Sequence, residues 1–183
     1  MKNKLGVKSV VAIDPGKNGG ICVVSDKLKI LYLEQWNSEP EEIQRQLKLV
    51  RDFTDLLFLE SAISMTTNRT VCNKLFYQNG YIVGYAEALG FRVVSCSPRH
   101  WKNIMQLTSD KQLSINKAKE IYSNADKVIS KFPKKGLDGI AEALLLAYYG
   151  YNYFVHYPED NNIKVLYTIN YANDLKYKEK TNN

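Results

Sequence analysis

Apolar positions change their period several times along the chain, and each change predicts an element. Residues 8–14, 20–26 and 28–36 are dense in Val, Ile and Leu. Short turns at Gly19-Gly20 and Asp26-Lys27 separate them, so three strands joined as two hairpins are expected. The period then lengthens. Ile43, Leu47 and Val50 fall at helical spacing behind Ser38, Glu39, Pro40, Glu41 and Glu42, which together signal a helix over 39–52. "DLLFLES" (55–61) is a compact apolar strand. From 68 to 89, Val71, Leu75, Gln78, Ile82, Tyr85 and Leu89 step by four and three, the spacing of a helix-packing seam. Gly80 and Gly84 allow another backbone to approach it, so the seam either covers the sheet or forms a dimer interface. "FRVVSCS" (91–97) is a fifth strand, and Pro98 opens a short turn or helix through Trp101. A Lys-rich helix over 111–125 and an apolar helix, "GLDGIAEALLLAYYG" (136–150), complete the pattern. These elements predict one α/β domain over 1–150. An extension over 151–183 follows, with a possible strand at 163–171 and a polar, frayed end.

Composition narrows the class. The 183 residues are 45% hydrophobic and 24% charged, the balance of an ordinary globular domain. No apolar run approaches the roughly 20 residues that a membrane span needs. The start, "MKNKLGVKSVVAID", lacks the apolar segment and cleavage site of a signal peptide, so a soluble cytoplasmic chain is expected. Cys22, Cys72 and Cys96 are odd in number and have no CxxC spacing, which argues against a disulfide framework or a zinc site and suits reduced, buried thiols. Net charge is +6, and Arg92 to Lys135 carries ten Lys or Arg against three acids. Such a segment is either the footprint of a polyanion binder or a solvated lysine face.

Four carboxylates stand apart by context. Asp14 and Glu60 close apolar strands, where a charge loses solvation and needs a partner. Asp138 and Glu142 sit four apart on the apolar helix, so they share one face and repel unless a cation offsets them. If the first and fourth strands are neighbours and the last helix crosses near their ends, all four converge. A carboxylate cluster without His or Cys selects hard cations, Mg²⁺ or Mn²⁺, and two such ions can activate water against a phosphodiester. Each acid also has a structural reading: a turn aspartate, a satisfied strand-end acid, a helix-dipole acid, a solvated helix residue.

Taken in order, "AIDPGKNGG", "LFLES", "SPRHWK" and "DGIAEALLLAYYG" resemble the RuvC-type Holliday junction resolvases of the RNase H-like superfamily, especially their phage-like branch. The similarity covers roughly residues 8 to 150. It implies a five-stranded mixed sheet flanked by α-helices, a homodimer, Mg²⁺ with Mn²⁺ as a substitute, and paired symmetrical nicks in four-way junction DNA. By this resemblance Asp14, Glu60, Asp138 and Glu142 are the metal-binding and catalytic acids, although the family often has Asp where this chain has Glu142. A phage-encoded protein of this kind works in the host cytoplasm; an organelle or viral factory stays open.

Candidate DNA contacts surround these acids. "SAISMTTNRT" (61–70) corresponds to the loop that enters the junction in such resolvases, where Met65 is a candidate wedge between base pairs. Arg69 and Lys74 on the following helix, and Lys102, Lys111 and Lys117 in the basic segment, are candidate phosphate contacts. Trp101 reads as a core anchor, and His100 and His156 as structural or exposed. The same fold also serves nucleases that cut RNA–DNA hybrids or other branched intermediates, and a junction binder without catalysis. A nucleotide-binding domain of the actin and sugar-kinase type would need a second domain, for which 183 residues are too few.

Overall fold

A computed structural model describes residues 6–61, 68–155 and 165–168, and at 153, 154 and 165–168 only the backbone. Strands β1 (Ser9–Ile13), β2 (Gly20–Ser25) and β3 (Ile30–Gln35) form the two expected hairpins, and helix α1 (Pro40–Arg51) crosses to β4 (Leu56–Glu60). Helix α2 (Arg69–Ala88) leads to β5 (Arg92–Cys96), then come α3 (Pro98–Ile104), α4 (Lys111–Ile121), α5 (Ala125–Ile129) and α6 (Leu137–Tyr149). The sheet order is β3-β2-β1-β4-β5-β6. The hairpin pairs are antiparallel, β1-β4 and β4-β5 are parallel, and β6 (Val165–Thr168) adds to β5 antiparallel. The five-stranded mixed sheet flanked by helices is thus present, with a sixth strand on its edge.

Burial on both faces explains why β1 and β4 read as unbroken apolar runs rather than as alternating ones. Side chains still alternate. Val11, Ile13, Leu57 and Leu59 point to the face covered by Ile43, Leu47 and Val50 of α1 and Ile82 and Ala86 of α2. Val10, Ala12, Leu56 and Phe58 point to the other face, under Ile140, Ala143, Leu144 and Ala147 of α6. α6 is apolar around nearly its whole circumference because α4 and the sheet enclose it.

Two departures from the expected elements have physical causes. The lysine-rich helix ends at Ile121 rather than 125, because Tyr122 turns inward, is fully buried and donates its hydroxyl to the Leu144 carbonyl at 2.8 Å. The chain restarts as α5. Beyond α6, Gly150–Val155 continue as a π-helical turn, and Tyr151 and Val155 are buried in the core. Gly150 is required there, since a Cβ would lie 2.5 Å from the Phe58 ring. Cys22 and Cys96 are buried as expected, whereas Cys72 is only half-buried. No described helix is long and apolar enough to cross a membrane.

Candidate active site

Parallel pairing of β1 with β4 sets the site. Ile13 lies opposite Leu59, so the next residue of each strand, Asp14 and Glu60, leaves the sheet at the same end and on the face covered by α6. The crevice at the carboxyl ends of parallel strands is the usual ligand position in open α/β sheets. The turn after Asp14 is tightly closed: the Gly16 amide donates to Asp14 Oδ1 at 2.9 Å, and the Asp14 amide donates to the Gly20 carbonyl at 2.9 Å. This turn packs directly on the start of α6. A Cβ on Gly139 would lie 2.1 Å from the Asn18 carbonyl oxygen, and one on Gly19 would lie 2.0 Å from that of Asp14. Glycine at 19 therefore lets the turn close on itself, and glycine at 139 lets α6 approach it closely enough to bring Asp138 and Glu142 beside Asp14.

All four acids interact electrostatically in this crevice. The Asp14 carboxyl is pushed up to about 6, first by burial and then by Glu142 and Asp138, against the opposing effects of the Gly16 amide and Lys102. Glu60 is pushed up to about 7, first by burial and then by the charge of Asp14. Lys102, from α3, enters among them. Its Nζ is 2.7 Å from Glu142 Oε2 and 3.8 Å from Glu60 Oε2. Burial alone would lower its pKa, but the Glu60 and Glu142 carboxylates outweigh that and hold the ammonium above its usual value. Trp101, fully buried, donates its indole Nε1–H to Glu60 Oε2 at 2.9 Å, and Ser114 of α4 donates to Glu142 Oε1 at 3.3 Å. On the rim, Lys111 pairs with Asp138 at 2.7 Å through a side chain that is 73% exposed.

The donor set is all oxygen and carries a surplus of negative charge, which fits a hard divalent cation. As the side chains stand, no three metal-ligating residues among those described are gathered tightly enough to hold an ion. Lys102 supplies the positive charge instead.

One groove opens on the acids and a second lies past the turn that follows Asp14. One, of about 1010 Å³, is lined by Ser97, Arg99, Lys102, Lys111, Asp138 and Glu142. The other is bordered by Pro15, Lys17 and Trp36 on one side and by Val71, Lys74 and Leu75 of α2 on the other. Of the expected DNA contacts, Lys102 and Lys111 thus lie at the acids and Lys74 in the second groove. Arg69 is exposed on the first turn of α2. Lys117 is half-buried on α4 and makes none of the described ion pairs with the four acids. Met65 lies outside the described residues.

Asp14 and Glu60 ending neighbouring parallel strands beneath an acid-bearing helix, with an antiparallel hairpin on one side, define the RNase H-like fold. Within that class the chain is similar to RuvC. A structure of Thermus thermophilus RuvC in complex with a Holliday junction substrate aligns with a TM-score of 0.56 at 19% identity, covering 84% of this chain and 96% of that one. A second Thermus thermophilus RuvC structure gives a TM-score of 0.54 at 21% identity, over 78% and 95% of the two chains. No protein-family model and no curated protein sequence matches the chain. At such identity the likeness establishes the fold.

Proposed function

We propose that this chain is a divalent-metal-dependent endonuclease that resolves four-way DNA junctions by paired, symmetrical nicks. The observation that carries the reading is the convergence of Asp14, Glu60, Asp138 and Glu142 in one crevice beside a groove that Arg99, Lys102 and Lys111 line. Asp14, Glu60, Asp138 and Glu142 would hold Mg²⁺, or Mn²⁺ in its place; when bound, the metal activates water and neutralises charge on the phosphodiester. The closed turn at Gly16 and the Trp101 indole keep Asp14 and Glu60 aimed into the crevice. Lys111 on one rim and Lys74 across the second groove are placed to hold phosphates, with Arg69 and Lys117 further along the same helices. Met65 is proposed as the wedge that opens the junction.

Paired nicks require two copies of the site, and α2 supplies a surface for pairing. Phe76 and Tyr77 are exposed on the side of α2 that also carries Gly80 and Gly84, turned away from buried Ile82 and Ala86, and an added Cβ at either glycine would meet open space. We assign this face to a homodimer contact. Junction DNA as substrate accords with the RuvC structure solved on a Holliday junction.

Cleavage of a labelled four-way junction, a linear duplex and an RNA–DNA hybrid, each with Mg²⁺, Mn²⁺ or chelator, tests the proposal. Metal-dependent paired nicks confined to the junction are expected. Cutting of the hybrid would move the substrate to another RNase H-like class, and junction binding without any cutting would make the chain a non-catalytic binder.

A further inference from the structure

Lys102 stands in an unusual relation to the acids. Two carboxylate oxygens face its ammonium, Glu142 Oε2 at 2.7 Å and Glu60 Oε2 at 3.8 Å, and the charge of Asp14 also acts on it. Glu142 is fully engaged in this arrangement, since its other oxygen accepts from Ser114. A hard cation takes carboxylate oxygens at roughly 2.0–2.1 Å. Glu142 binds one less readily while it keeps Lys102, because an ammonium and a divalent ion on the same carboxylate repel each other. Lys111 differs. Its ion pair with Asp138 is at the surface, where such a pair is weak and easily exchanged.

We propose that Lys102 is a built-in, exchangeable counter-ion: its ammonium holds a cation's place between Glu60 and Glu142 in the metal-free protein and leaves when a divalent ion binds. This rests on the metal-site reading above. The lysine thereby sets the affinity of the site for metal, and it is a positioning residue for the free acids rather than a ligand. It has somewhere to go. The side chain already borders the groove that Arg99 and Lys111 line, so the released ammonium stays tethered to α3 and turns toward the path of a phosphate strand. Ion loading then turns a further positive charge, beside those of Arg99 and Lys111, toward that groove.

The test is Mn²⁺ binding to the full chain without DNA, measured by calorimetry for the wild type and for Lys102→Met. Removing the competing ammonium is expected to tighten Mn²⁺ binding by about fivefold or more. An equal or weaker affinity in Lys102→Met, with the wild type binding normally, would overturn the counter-ion role and leave the metal site standing. If neither chain binds Mn²⁺, the metal reading falls and this proposal with it. Should Lys102→Met not fold, the ¹⁵Nζ signal of Lys102 in the wild-type chain decides. It is expected to shift as Mg²⁺ saturates the site, and a signal unmoved at saturation would overturn the proposal.

Discussion

The indole Nε1–H of Trp101 donates to Glu60 Oε2 at 2.9 Å, so a fully buried core residue of α3 fixes the orientation of the acid that ends β4. Hydrogen bonds to charged groups contribute ~1.5–3 kcal/mol, and here the acceptor is already short of solvent. Trp101→Phe is expected to lower unfolding stability by about 2–3 kcal/mol, with some of the loss from the smaller ring. It should also reduce junction cleavage while leaving junction affinity near wild type. Chemical denaturation and single-turnover cleavage measure the two effects, and unchanged cleavage would mean that Glu60 does not need the indole.

Asp14→Asn keeps an oxygen for the Gly16 amide but removes a buried charge. Cleavage should fall by ~100-fold or more, whereas junction binding should persist because lysine–phosphate contacts supply most of the affinity. An active Asp14→Asn enzyme would remove Asp14 from the proposed metal set. Gel-shift and cleavage assays on one preparation separate binding from chemistry.

Stability of the metal-free protein should fall as pH rises. Asp14 and Glu60 have folded-state values of about 6 and about 7, above their unbound values of 3.8 and 4.5. The folded state therefore binds more protons than the unfolded one in that window. Their contribution to stability is full below about pH 4 and is lost as pH climbs through about 7. Thermal melts from about pH 5 to about 8, compared with Asp14→Asn, isolate this effect. The variant should show the shallower decline, and parallel curves would contradict the burial of Asp14.

Gly139 tests the closeness of α6 to the β1–β2 turn. Its Cβ in Gly139→Ala would meet the Asn18 carbonyl oxygen, a backbone atom that cannot swing aside. Overpacking of this kind costs ~1–3 kcal/mol. The displaced helix carries Asp138 and Glu142 with it, and a shift near 1 Å can cost ~100-fold in rate. Activity should thus drop more than the change in stability alone would explain. Wild-type cleavage by Gly139→Ala would show that the approach of α6 is not needed.

Exposed Tyr77 on α2 tests the dimer surface. Tyr77→Glu leaves the core intact, because buried Ile82 and Ala86, with partly buried Tyr81, Val83, Tyr85 and Leu89, make the packing of that stretch against the core. Light scattering should find a dimer for the wild type and a monomer for the variant. A wild-type monomer at micromolar concentration would dismiss the assignment.

Much of the site was legible because acids at the ends of apolar strands stand out from their neighbours. Asp14 and Glu60 each break a run that is otherwise wholly apolar, and Asp138 and Glu142 do the same on α6. Sequence spacing could not reveal contacts between distant residues. Lys102 read as a phosphate contact because its charge was visible, whereas its partner Glu142 lies forty residues away and only the fold joins them. Trp101 read as a core anchor, but the destination of its N–H depends on where β4 ends. Ser114 is marked in the sequence only by its place with Ala118 on the small, buried stripe of α4: a hydroxyl on such a stripe faces the neighbouring helix. The early end of α4 has a similar cause, since Tyr122 leaves the helix to reach a carbonyl on α6.

Four residues of β6 lie along β5 and close an edge that would otherwise stay open. β5 is mostly buried and apolar, and its unpaired amides and carbonyls would form a template for strands of other molecules. A shortened chain ending at 150 would keep every acid of the site yet lose this cover, along with Tyr151 and Val155 from the core. Its defect would then be self-association through the sheet, seen as aggregation during expression rather than as a loss of chemistry.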